Sequence, residues 1–240
     1  GAARVRVPNG VLAVRAGTQD LVPRKMIGTV ALEGGRPTLL PLDGSGARPL
    51  VGAEGLADGA VVEVETKPGA PQVEVAGAGA LAEPGTALAK LYGILAKHGI
   101  DPSFPPEVDE EVQQILQNPG LDDPQLEDLT HLPFITIDNE GSKDLDQAMY
   151  IERTAAGGCK VYYALADAAH YVRPGTALYA EAVKRGVTYY MPGMAVPMLP
   201  RALSEGLVSL NEGVDRRALT MVTELDARGQ VLGTEVRRTR

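Results

Sequence analysis

The chain has 240 residues, of which 44% are hydrophobic, enough apolar material for one large domain or two small ones and too much for wholesale disorder. Its net charge is −8, and Cys159 is the only cysteine, which excludes an intrachain disulfide framework and a Cys-based zinc site. No apolar run approaches the roughly 20 residues of a membrane span, and no basic-then-apolar leader is read at the start. The expectation is a cytoplasmic, monomeric chain with no membrane and no disulfide partner.

The charge is unevenly spread. Residues 101–147 carry 13 Asp and Glu against one basic residue, Lys143, a local balance of −12 that leaves +4 for the rest. Residues 101–128 read as a solvated acidic face or loop. A metal site would account for part of the remaining acid, because hard cations take oxygen ligands.

Residues 1–76 read as a small β-barrel of the oligonucleotide-binding or cold-shock kind. Short apolar stretches at 10–14, 26–32, 38–42 and 60–64 are separated by Gly, Pro and Asp turns. No aromatic residue precedes Tyr92, so the barrel lacks the stacking rings that usually grip a single strand. Nucleic-acid contact there would rest on phosphates meeting Arg4, Arg6, Arg15, Arg24 and Lys25, unless these are ordinary surface charges. Residues 77–130 read as a linker with two helices. Leu88, Leu91, Tyr92 and Leu95 give the first its 3.6-residue period over 85–98, ended by Gly99. Val108, Val112 and Ile115 line the second over 107–117, and Pro119 and Gly120 close it.

From 131 the texture is mixed. Strands are expected at 134–137, 148–151 and 161–166, a helix at 177–185 capped by Thr176, and a hairpin of 218–225 with 231–236 around Arg228 and Gly229. The fold class expected overall is α+β: a small N-terminal barrel, a helical linker, and the start of a further α/β domain.

Residues 136–148 read Thr-Ile-Asp-Asn-Glu-Gly-Ser-Lys-Asp-Leu-Asp-Gln-Ala. Asp138 ends a stretch of strand character, and Gly141 lies in a polar loop. Asp144 and Asp146, two apart, point the same way in an extended chain. Three carboxylates this close repel one another and stay ionised together only beside positive charge, for which Mg2+ or Mn2+ is the economical source. A calcium loop of the EF-hand kind counted from Asp138 needs Gly sixth and Glu twelfth, where Lys143 and Met149 stand. A turn whose Asp and Asn side chains bond local amides is the bland alternative.

The loop resembles the active-site loop of the ribonuclease II / ribonuclease R (RNB) family. The resemblance continues in the family's order through residues 163–172, 188–200 and 203–211. It implies a metal-dependent hydrolytic exoribonuclease that degrades single-stranded RNA from the 3′ end to nucleoside 5′-monophosphates. The cofactor implied is Mg2+ or Mn2+, and the mechanism a cation-assisted in-line attack. Residues 131–240 then correspond to the first part of the family's catalytic domain, and a chain ending there is expected to be weakly active or inactive.

Carried over residue by residue, Asp138, Asp144 and Asp146 fall on the family's catalytic, metal-binding aspartates. Gln147 stands where the family has a fourth, so a neutral amide oxygen replaces a charged ligand. Tyr190 falls on an aromatic near the RNA 3′ end, with Arg24 and Lys25 as further RNA contacts. Asp167 either orders the loop or anchors a turn, and His170 reads as structural. Two other classes remain: an RNA-binding or regulatory relative with impaired metal ligation, and a barrel scaffold that binds protein.

Overall fold

The computed structural model describes residues 3–7, 10–14, 23–77 and 79–240. The chain divides into two compact units, Gly1–Pro106 with Tyr190–Val196, and Glu107–Tyr189 with Pro197–Arg240.

In the first unit, strands β1 (Ala3–Val7) and β2 (Gly10–Val14) pair with each other in an antiparallel ladder. The strands that follow are β3 (Lys25–Glu33), β4 (Arg36–Pro41), β5 (Arg48–Val51), β6 (Val61–Thr66) and β7 (Val73–Val75). They close into a barrel in the order β3-β4-β5-β7-β6. Val30, Leu39, Leu50, Val62, Val64 and Val73 fill it. Leu39, Val62 and Val64 are wholly buried, each such side chain contributing about 1.5–3 kcal/mol. Gly28 is needed where β3 meets β4, because a Cβ there would lie 2.7 Å from the Leu39 side chain. The barrel therefore occupies 25–75.

Helix α1 (Ala87–Lys97) begins where the Thr86 hydroxyl accepts the Ala89 amide and stops before Gly99, whose φ is 65°. Its Tyr92 and Leu95 join Ile27, Leu42 and Val61 in a second core cluster. The stretch expected as a linker is thus divided between the units: α1 packs with the first, and α2 (Pro106–Gln117) runs in the second. Pro106 opens α2, where a missing N–H costs nothing.

The second unit centres on a four-stranded antiparallel sheet in the order β13-β12-β9-β8. Its strands are β8 (Gln147–Arg153), β9 (Cys159–Ala166), β12 (Ala218–Leu225) and β13 (Val231–Thr239). The β8–β9 turn needs Gly158, where a Cβ would sit 2.0 Å from the Leu225 carbonyl oxygen. In the β12–β13 turn the Asp226 carboxylate accepts the Arg228 and Gln230 amides, and Gly229 takes φ 78°. Between β9 and β12 come α3 (Ala168–Tyr171) and α4 (Ala177–Arg185), then the short hairpin β10 (Tyr189–Met191) and β11 (Met194–Val196), then a π-helical turn, Ala202–Leu207.

The strand expected at 134–137 does not form. Ile135 alone bridges to Met149 through a reciprocal pair of hydrogen bonds of 2.9 and 2.8 Å, and the backbone then leaves the sheet toward Asp138. Ile135 and Ile137 are consequently exposed.

Candidate metal-binding loop

The acidic loop runs from that bridge to the start of β8. Its bend is a turn in which the Ser142 amide donates to the Asn139 carbonyl (3.1 Å), with Gly141 at φ 84°. Beyond it the chain is pinned. The Ser209 hydroxyl donates to the Lys143 carbonyl (2.7 Å) and accepts the Leu145 amide (2.9 Å). The Leu210 amide donates to the Leu145 carbonyl (2.9 Å), and the Ala166 amide to the Asp146 carbonyl (2.9 Å), which carries the β8–β9 ladder on to Asp146. Asp146 is therefore tied to the end of the sheet, while Asp138 lies across a turn.

The electrostatics bring the three aspartates into one field. The Asp146 carboxyl is pushed above its ordinary range first by desolvation, then by the negative charges of Asp144 and Asp138. They do not form a closed ligand cage: among the described residues no group of three or more His, Cys, Asp or Glu is placed to hold a metal ion. The expectation of three converging carboxyl groups is corrected to that extent. The donor set still fits a hard divalent cation, since it consists of carboxylate oxygens whose mutual repulsion a cation would offset. Gln147, exposed, opens β8 opposite Leu165.

The other expected residues are dispersed. Tyr190 lies in β10 and is 71% exposed, its neighbour Tyr189 37%. The Arg24 amide donates to the Thr66 hydroxyl and its carbonyl accepts the Thr66 amide, and Lys25, at the head of β3, pairs with Glu63 at 3.6 Å. The side chains of Arg4, Arg6 and Arg15 lie outside the described residues. Asp167 caps α3 by accepting the His170 amide and lies 3.6 Å from buried Arg217, a turn anchor. The His170 ring stands edge-on to Tyr171, and desolvation with the charges of Arg217 and Arg173 holds its pKa low. That is a structural placement.

The acidic segment 101–128 is more than a solvated face. The Glu111 carboxylate accepts the Ala177 and Leu178 amides at 2.9 and 2.7 Å, capping α4 together with Thr176. Asp123 pairs with Arg217, Glu127 with Arg237 and Asp128 with Arg240. Sequence reasoning gave no role to these groups or to Ser209. Their partners are far away along the chain, and no local pattern announces them.

Residues 126–240 match the RNB domain family model, and the four-stranded sheet and the aspartate loop both fall inside that match. Over these residues, just under half of the chain, the sequence resembles the RNB domain family. The chain is 44% identical over 129 residues to ribonuclease R of Vibrio cholerae, covering 53% of this chain and 16% of that protein. It is 53% identical over 85 residues to exoribonuclease 2 of Buchnera aphidicola, covering 35% and 13% respectively. It thus spans a small part of the curated relatives it matches. Among solved structures, Mycoplasma genitalium RNase R in complex with double-stranded RNA aligns with 90% of this chain and 40% of its own, with a TM-score of 0.60 at 23% identity. That likeness supports the fold: an N-terminal barrel followed by the beginning of an RNB domain. No helix among the described residues is long and apolar enough to cross a membrane.

Proposed function

We propose that this chain is the front part of a 3′-to-5′ hydrolytic exoribonuclease in which Asp138, Asp144 and Asp146 hold Mg2+ or Mn2+. The observation that carries the reading is the coincidence of two facts. Residues 126–240 match the RNB domain, and within them the chain places three mutually repelling carboxylates in one short loop. Relatives that the chain matches over part of its length are named as ribonucleases.

When bound, such a cation lowers the pKa of water and offsets charge on the phosphate. The chain's own contribution is positional. Asp146 and Asp144 are presented from main chain fixed by the sheet and by Ser209, and Asp138 lies beyond the turn. Gln147 adds a neutral oxygen where a charged one would bind more tightly. In the first unit, Tyr190 offers a ring for stacking, worth about 1–3 kcal/mol per base and indifferent to sequence. Arg24 and Lys25 offer charge to backbone phosphates.

The test is 5′-labelled single-stranded RNA with the 240-residue chain and Mg2+ or Mn2+. At most slow stepwise shortening from the 3′ end is expected, weak because the chain spans a small part of its relatives and carries Gln147. Asp146→Asn is expected to abolish it while RNA is still bound, because phosphate contacts elsewhere carry affinity. Retention of RNA with no shortening would instead favour a binding or regulatory member of the family, the reading to which Gln147 and the open arrangement of the aspartates lend weight.

A further inference from the structure

We infer that Ser209 is a positioning residue for the cation site, setting the spacing of Asp144 and Asp146 through their main chain; this rests on the reading of the loop given above. Ser209 is 1% exposed, and its one hydroxyl serves two bonds to the same loop. It donates to the Lys143 carbonyl and accepts the Leu145 amide, so both peptide neighbours of Asp144 are tied to one buried oxygen. The next residue repeats the attachment, the Leu210 amide donating to the Leu145 carbonyl.

Ser209 is itself held. Its carbonyl accepts the Arg216 Nε at 3.0 Å and the Asn211 amide at 2.8 Å. The Arg216 guanidinium also donates to the Gly206 carbonyl, as does the Asn211 side chain, which reaches the Glu205 carbonyl too. The loop is thus fastened to a braced segment more than sixty residues away. A buried hydroxyl satisfied on both sides holds the main chain on both sides of Asp144. Threonine keeps the hydroxyl, alanine removes it, and cysteine keeps the volume with weaker bonds.

The experiment is Mn2+ binding to the full chain, followed by electron paramagnetic resonance, with amide hydrogen exchange at Leu145 as the second readout. Ser209→Ala, folded by circular dichroism, is expected to bind Mn2+ about tenfold more weakly and to exchange the Leu145 amide faster. Ser209→Thr is expected to restore both. If the alanine variant does not fold, Ser209→Cys decides, with an intermediate loss expected. Native Mn2+ affinity in a folded variant that lacks the hydroxyl overturns the positioning role. Asp146→Asn in the same titration separates the two levels. If it loses Mn2+ while Ser209→Ala keeps it, only the role of Ser209 falls. If it binds as the wild type does, the cation site falls and the positioning role with it.

Discussion

Two acidic stretches of the second unit use the same residue types to opposite ends. In residues 107–128 the carboxylates find donors: Glu111 takes two helix amides, and Asp123, Glu127 and Asp128 take arginines from the sheet and its end. Asp123 and Asp128 are accordingly held below the usual carboxylate range. The Gln125 amide, then Arg217, act on Asp123; the Thr130 hydroxyl and amide, then Arg240, act on Asp128. In residues 138–146 desolvation, then the charges of Asp144 and Asp138, push Asp146 the other way. Composition alone assigns both stretches the same character.

The contrast is broken most severely at Arg217. Its guanidinium is buried between Asp167 and Asp123 and bonds the Gly120 carbonyl, so Arg217→Ala strands a buried acid. A loss of about 3–5 kcal/mol is expected in urea unfolding; a loss below 1 kcal/mol would mean the pair is not formed in solution. Next is Glu111→Ala, which uncaps α4 and is expected to cost about 1–2 kcal/mol, with Glu111→Gln costing less because one acceptor remains. Equal losses for the two variants would contradict the capping role. Gln147→Asp leaves the paired stretch untouched and sharpens the other: Mn2+ should bind several-fold more tightly, and an unchanged affinity removes Gln147 from the ligand set.

The smallest effect concerns pH, and its sign differs between the stretches. Asp123 and Asp128 have depressed folded pKa values, so they contribute stability above the ordinary carboxylate range and lose it only as pH falls through those depressed values. Asp146 has a raised one, so its ionised form is the disfavoured one in the fold, and it takes up a proton earlier on acidification. Mn2+ affinity should therefore decline at higher pH than native circular dichroism does. Coincident midpoints would show that the two stretches do not differ as described.

Much of the architecture was legible because its causes are local. The period of Leu88, Tyr92 and Leu95 gave α1, the Gly-rich turns gave the barrel, and Arg228-Gly229 gave the last hairpin. The three aspartates were legible as a motif. Residues 134–137 misled because strand propensity cannot say whether a ladder partner continues, and here the partner is lost after Ile135. The arginine partners of Asp123, Glu127 and Asp128 lie 94, 110 and 112 residues away, and Ser209 lies 66 from Lys143. Only tertiary structure reveals them.

The central claim, that Asp138, Asp144 and Asp146 share one divalent cation, is tested most directly by following the Asp146 carboxyl carbon in a pH titration by NMR, with and without Mg2+. The account predicts a midpoint above the ordinary aspartate range in the absence of Mg2+ and below it in its presence, with the drop lost in Asp138→Asn. A midpoint that Mg2+ leaves unmoved would contradict it.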